Sequence, residues 1–473
     1  MQRRWTSSGP TAGLAALILT AGCESAPPVG ASEGDSGSAP PSAFTGIESV
    51  TWDGMSGLDV DWGTATGGED STFTLTVAQG ELGNEIVGIT DTHAFVDGLA
   101  DGEYLLTVTT TGPDGEVLGA QRSLHQLVGL NRLVYRGEVK TSGGARAVAG
   151  VGDVVVVGGG MREGVVTLVD LSDPREPRVL SEIAGLGEVS DVDLSGGLLA
   201  VAQDTILNPD ETASVELYDA TDLENPTLVG TISAAEDAAH TLNLAGDSLF
   251  IASTQRGAVA VYDVSNPGTP LRLAAITPPP PAAVHDQTVV GTTLYTAYGS
   301  GVAAFDVTAP AAAVLLGATL ATWENPFLHN VWPTADGTVL AVSEEAVGGS
   351  LHVYAVSDSG AIAWRSTVQV SPQSSIHNAV VRETYAFCAW YVDGLRVYDL
   401  SDPTEPLLVG WYDTWAGNED VEQRSDGSQW PNVNGATHVF PFGTHVAVSD
   451  AARGVIAFDF FPVTRTWGDG WVD

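Results

Sequence analysis

The chain reads as all-β, with a seven-bladed β-propeller preceded by a small β-sandwich, and three observations carry that reading. Hydrophobic residues make up 44% of the chain yet occur in short β-branched and aromatic bursts, with no long segment of 3.6-residue period. Gly, Asp and Pro turns separate the bursts. A strand-ending aspartate with its own turn recurs at Asp170, Asp219, Asp263, Asp306 and Asp399, with Ala355 in its place once and Asp459 last. The intervals are 49, 44, 43, 49, 44 and 60 residues, and four strands in about 40–50 residues make one propeller blade.

Residues 1–23 carry Arg3 and Arg4, an apolar run from Ala12 to Ala21, and then Gly22 and Cys23. A basic start and a short apolar stretch read as an export signal, too short for a spanning helix. The ending Leu19-Thr-Ala-Gly-Cys23 resembles a bacterial lipobox, with Thr20 where leucine is more usual. That resemblance implies cleavage before Cys23 and its lipidation, and two or three acyl chains would hold the protein durably on a membrane. An ordinary signal peptide with a cysteine at that place is the alternative. Gln2 and Trp5 fit a twin-arginine signal poorly. Residues 24–46 are Pro, Gly, Ser and acid with almost nothing to bury, which suits a solvated tether. Gly34-Asp-Ser36-Gly37 imitates a serine-protease motif there, but a linker supplies neither a rigid surround nor a base.

Residues 47–122 form the sandwich. Strand-like segments lie at Ile47 to Trp52, Leu58 to Trp62, Phe73 to Val77, Ala94 to Val96 and Tyr104 to Thr110. Trp62 early and Tyr104 late resemble a fibronectin type III domain, which implies a spacer or adhesive unit. The propeller occupies residues 130–463. Its clearest repeat is Ser375 to Tyr412, where four bursts alternate with turns at Asp393-Gly394 and Asp402-Pro403. Leu133 to Val139 resembles a fourth strand, and the last repeat has little of its own after Phe460. Residues 133–139 are therefore expected to complete the seventh blade and hide two sheet edges.

These repeats resemble the LVIVD repeat. The C-terminal half resembles the choice-of-anchor B family through Leu328-His-Asn-Val-Trp-Pro-Thr334, Ser375-Ile-His-Asn378, Trp390 to Arg396, and Val448-Ser-Asp450 through Arg453-Gly454. The resemblance covers roughly residues 130–460 and implies a propeller-like body fixed to the cell surface, with no established activity. Thr437-His438, where a small residue is expected, and the insertion between Asp413 and Ala436 depart from it.

With 18 basic and 59 acidic residues the formal charge is −41, and Lys140 is the one lysine. Such a surface repels phosphate backbones and excludes nucleic acid as a partner. Solubility outside the cell is one reading of it, and collection of Ca²⁺ or cationic ligands the other. Of the two cysteines, Cys23 falls at the lipobox, so no intrachain disulfide is expected, and Cys388 reads as a small buried hydrophobe.

Five of the nine histidines, His240, His285, His329, His377 and His438, fall just before or at the start of a repeat's first strand. Arg146 and Asp191 take that place in the first two repeats. First strands line a propeller's axis, so these residues should gather at one mouth of the channel. Neutral imidazoles there can ligate a divalent metal, with Asp286 or Glu345 adding oxygen. Equally, a polar residue copied at each blade start can serve only to hydrogen-bond the neighbouring blade. Neither HExxH nor C-x-x-C is present. Trp323, Trp332, Trp390, Tyr391, Trp411 and Trp415 read as packing between blades, with a sugar or peptide platform as the alternative.

The functional expectation is an envelope lipoprotein, on the inner or the outer membrane, whose propeller is a noncatalytic binding or scaffolding module. Its partner would be a protein, a glycan or a small molecule. The alternative is a metal-dependent enzyme using the histidine ring.

Overall fold

The computed structural model describes residues 47–460, apart from 53–57, 64–71, 80–81, 97–98, 100–101, 113–116, 129–130, 160–163, 205–212, 234–238, 254–256, 281–282, 416, 418–421 and 424–428. Cys23, its lipobox and the tether lie outside the described residues. Two compact units divide the chain, Met1–Gly129 and Leu130–Asp473. Both are β-sheet, with a single 3₁₀ turn at Pro310–Ala312 as the described helix. Among the described residues no helix is long and apolar enough to cross a membrane.

The first unit contains two antiparallel sheets. β1 (Ile47–Trp52), β2 (Leu58–Trp62) and β5 (His93–Val96) form one. β3 (Thr72–Gln79), β4 (Leu82–Ile89), β6 (Gly102–Thr111) and β7 (Val117–Val128) form the other. One apolar cluster draws on both, with Leu58, Val60 and Trp62 from one sheet and Leu75, Leu106 and Val108 from the other. Alternation explains it: Tyr104, Leu106 and Val108 face the cluster, and Thr107 between the last two does not. β4 and β7 escape the sequence reading, and β7 pairs with β6 as far as Val128, six residues beyond the expected boundary at 122.

Among its described residues the second unit holds, besides a two-stranded ribbon of Glu422–Gln423 and Gln429–Trp430, seven four-stranded antiparallel sheets. Their first strands are, in order, Ala147–Val151, Glu188–Ser195, Thr241–Ala245, Asp286–Val290, Leu328–Pro333, Asn378–Arg382 and Ala436–Phe442. These strands neighbour one another in sequence, and that of the seventh sheet neighbours that of the first. The apolar core follows the same circle. It is divided into seven clusters, each drawn from two adjacent sheets, the last joining Phe442, Ala447 and Val455 to Val148, Val155 and Val169. Sheets that bury both faces against neighbours leave their polar first strands around a common centre.

Turn chemistry sets the repeat. Asp170, Asp219, Asp263, Asp306 and Asp399 each accept from the backbone N–H two residues on, at 2.8–3.0 Å. In the sixth sheet Asp393-Gly394 turns as expected. Gly394 has φ +74°, and a Cβ there would meet Tyr412 O at 2.2 Å, so only glycine fits. Cys388 is wholly buried in the core between the fifth and sixth sheets, and burial pushes its thiol pKa up.

β8 (Leu133–Val139) pairs antiparallel with Gly454–Phe460, from Val139↔Val455 to Leu133↔Phe460, and completes the seventh sheet. Side chains lock it. Arg136 Nε donates to Asp459 at 2.6 Å, and Arg453 Nε donates to Glu138 at 2.8 Å. Just before β8, Asn131 exchanges hydrogen bonds with both the N–H and the C=O of Trp411 in the sixth sheet.

Candidate functional site

Pairing register assigns each first strand's residues to the wall of the central cavity. Residue partners Ala147↔Gly158, Asp191↔Ala202, Thr241↔Ala252, Asp286↔Ala297, Asn330↔Ser343, Asn378↔Ala389 and His438↔Ser449 are equivalent in the seven sheets. The residue before each, at a bulge or at the strand's edge, is then Arg146, Ser190, His240, His285, His329, His377 and Thr437. Four histidines therefore share one position. His438 and Asp191, aligned with them by sequence, stand one residue further on. The shift is a bulge, which adds a residue to a strand without altering its pattern.

The four equivalent imidazoles stand in a row. Ring centroids are 4.4 Å apart for His240 and His285, 4.0 Å for His285 and His329, and 4.4 Å for His329 and His377. The ends of the row are tied to neighbouring sheets. His240 Nδ1 lies 2.7 Å from Asp204 Oδ2, and His377 Nδ1 donates to Thr437 O at 2.6 Å. With Nδ1 so engaged, it is Nε2 that carries the lone pair in the neutral form of either ring. The middle of the row differs: Nδ1 of His285 and of His329 are buried with no hydrogen-bond partner. Phe327 packs edge-on against His285, with centroids 5.3 Å apart.

Glu345, just past the strand Val339–Glu344, reaches this row. Its Oε2 lies 3.6 Å from His329 Nε2, and its Oε1 accepts from Tyr391 OH at 2.5 Å. One ligand atom each from His285, His329 and Glu345 fall within 4.8 Å of one another. Tyr391 also packs on His377, with centroids 5.0 Å apart. It holds φ at +37°, a left-handed conformation unusual for an aromatic residue, and its carbonyl accepts from both Gly394 and Ala436.

Burial, and then the neighbouring imidazoles, push the pKa of His285 and His329 well below the usual histidine value. The same burial lowers His377 and brings His438 to about 4. The rings are thus neutral at neutral pH and hold lone pairs rather than charge. Opposite them stand acids. Asp193 accepts from Leu194 N, Leu244 N and Asn243 Nδ2 at 2.7–3.1 Å, and Asp191 from Val192 N and Leu242 N. Burial raises Asp193 to about 6 and Asp191 well above the usual carboxylate range. Asp286, expected as an oxygen donor beside the histidines, instead accepts from Gln287 N and Asn330 Nδ2. Together these groups wall a cavity of about 230 Å³ that Arg146, Ser190, Asp191, Asp193, His240, Asp286, His329, His377 and His438 all line.

His445 pairs with Asp459 and His352 with Glu344 and Thr367, away from this wall, and in the first unit His93 pairs with Asp61. Tyr391, Asp204 and Thr437 escape the sequence reading of the site. Tyr391 sits in an aromatic run that packing alone would explain, and the other two act only once the ring brings distant segments together.

The LVIVD repeat model matches residues 376–414, the span of the sixth sheet. No curated protein matches the chain. Among solved structures, the WD40 repeats of RRP9 are similar at 10% identity, covering 70% of this chain and 97% of that one, with a TM-score of 0.50. A functionally unknown protein from Desulfotomaculum acetoxidans is 16% identical over 66% of this chain and 92% of its own, with a TM-score of 0.45. Saccharomyces cerevisiae Sqt1 is 11% identical over 71% and 100%, with a TM-score of 0.46. The chain is thus a propeller-like repeat protein carrying an LVIVD repeat.

Proposed function

We propose that the chain is an exported envelope protein of choice-of-anchor B type, held on a membrane through lipidated Cys23. The tether 24–46 and a fibronectin III-like spacer then carry a seven-bladed LVIVD propeller that acts as a noncatalytic binding module. Its binding centre is a divalent transition metal held by His285, His329 and Glu345.

The proximity of those three donors carries the proposal. Ligands sharing a tetrahedral ion with bonds of about 2.0–2.2 Å lie roughly 3.3 Å apart, and His329 and Glu345 are already at 3.6 Å. Nδ1 of His285 is buried with no hydrogen-bond partner among the described residues and is open to an ion, while His329 would bind through Nε2, the nitrogen beside Glu345. Imidazole donors favour zinc, copper, nickel or iron over calcium. His240 and His377, oriented through Nδ1, flank the set in the manner of outer ligands fixed by a hydrogen bond.

Metal analysis and calorimetry with Zn²⁺ or Ni²⁺ on the full chain test this. One ion per chain is expected, and His329→Ala should weaken binding at least a hundredfold. Equal binding by wild type and variant would refute the metal centre. A mass spectrum of the mature N-terminus checks the lipid on Cys23. One observation favours the second reading, a metal-dependent enzyme: three protein donors are one short of a tetrahedral set, and one of them, His329, lines the cavity. Turnover that disappears with the metal in His329→Ala is the mark of that reading.

A further inference from the structure

Arg146 occupies in the first sheet the position that histidine holds in sheets three to six. Its N–H bonds Gly158 O at 2.8 Å, as the N–H of His240, His285 and His377 bond their own second strands. The side chain is partly buried and lines the central cavity. Its charge reaches His377, where it adds to the lowering that burial causes, and Tyr391, where it opposes the rise that burial causes. Yet among the described residues Arg146 makes no side-chain hydrogen bond and no ion pair. Arg136, Arg178 and Arg453 each sit against a carboxylate, as expected in a chain of net charge −41.

His438, on the first strand of the adjacent seventh sheet, adds a donor to the same wall. His438 Nδ1 faces both the C=O of Val439 at 3.2 Å and its N–H at 2.9 Å, and the shorter contact, from a group that can only donate, favours a lone pair on Nδ1. In the neutral ring the proton is then on Nε2, which has no partner among the described residues. The histidines thus divide by tautomer. In their neutral forms His240 and His377, with Nδ1 on an oxygen, leave the lone pair on Nε2, whereas His438 offers N–H there. Of the four carboxylates that line the cavity, Asp191, Asp193 and Asp286 spend oxygens on backbone and amide donors, and neither they nor Glu188 forms an ion pair with Arg146. Burial, and then the facing Asp286, favour the protonated form of Asp191, which reduces the negative charge an anion would meet.

We infer that the cavity binds a small oxyanion, the carboxylate of an organic acid or an inorganic phosphate, between the Arg146 guanidinium and His438 Nε2–H. A planar guanidinium matches two oxygens of either group, and a cavity of about 230 Å³ has room for a few heavy atoms beyond the headgroup. This site lies beyond the metal reading and does not depend on it.

The test is calorimetric titration of the full chain, stripped with EDTA and dialysed, with inorganic phosphate and separately with succinate. At about 0.15 M salt a Debye length of roughly 8 Å screens the negative surface. One of the two anions should bind with millimolar affinity or better, and which one identifies the source of the headgroup. Arg146→Gln should weaken it at least tenfold and His438→Phe about threefold, while Arg146→Lys recovers part of the loss through its charge. His329→Ala should lose metal and keep the anion, so the two sites fail separately. Absence of binding for both anions overturns the inference. So does unchanged affinity in Arg146→Gln, or an equal loss in Arg146→Lys accompanied by a lowered melting temperature.

Discussion

On the second sheet the inner strand presents Asp191 and Asp193, and every one of their oxygens accepts a hydrogen bond, from their own strand or from the first strand of the third sheet. On the fourth and fifth sheets His285 stands just before the inner strand and His329 second within it, and the Nδ1 of each has no hydrogen-bond partner among the described residues. Both pairs are polar: Asp191, Asp193 and His329 line one cavity, and His285 packs against His329. The acids clasp one sheet to the next, as Asn243 and Asn330 do further round by accepting from Val289 N and Ala379 N. A side chain whose task is to hold the ring uses its polar atoms on the ring. The imidazoles of His285 and His329 do not, so their nitrogens are available to something else.

Breaking the clasp should give the largest effect. Asp193→Ala strands Leu244 N–H and the Asn243 amide, and unpartnered buried donors that had served a carboxylate cost about 3 kcal/mol in all. His285→Ala loses ring contacts but also removes an unpartnered nitrogen, so metal-free protein should lose about 1 kcal/mol. Urea unfolding of the second unit measures both. Equal losses would erase the distinction between clasping acids and free imidazoles.

Titration should separate the two arcs by sign. His438, with a folded pKa of about 4, and the similarly lowered His285, His329 and His377, are protonated first in the unfolded chain as pH falls below 6.5. The stability they lend is full above pH 6.5 and lost toward pH 4. Asp193 runs the other way: raised from 3.8 to about 6, it keeps its proton in the folded chain, and its contribution is full below pH 3.8 and lost as pH rises through 6. Between pH 4 and 6 the two slopes oppose. Asp193→Asn removes one of them, so its stability should fall on acidification from pH 6.5 to 4 by about 2 kcal/mol more than that of wild type. Parallel melting curves across that range would mean the arcs are not electrically distinct.

The repeat was legible because each turn aspartate signs its own strand end, and Asp170, Asp263 and Asp399 do bond the N–H two residues on. Closure by Leu133–Val139 was legible for a similar reason: the last repeat lacked a fourth strand, and pairing filled it. Membership of the site was less so. Bulges at Ser190, His329 and Thr437 add a residue with no mark in the hydrophobic pattern, so counting back from the turns placed Asp191 and His438 beside histidines they do not match. Glu345 stood out only as a nearby acid, whereas Tyr391 was hidden among aromatic residues that pack.

Tyr391 sharpens the contrast at its smallest expected scale, because it is where the imidazole arc does spend a hydrogen bond on orientation. Its hydroxyl fixes Oε1 of Glu345 and thereby aims Oε2 at His329, while its ring lies against His377. Tyr391→Phe keeps the ring and the turn and removes only that hydroxyl. Glu345 then samples other rotamers, and the loss of an orienting partner behind a metal ligand weakens binding by about tenfold, roughly 1.4 kcal/mol. Stability without metal should change by about 1 kcal/mol at most, since Glu345 still has His329 beside it. A variant that binds Zn²⁺ as tightly as wild type would show that Glu345 is positioned by the ring alone, and that Tyr391 holds its left-handed backbone for the turn rather than for the metal.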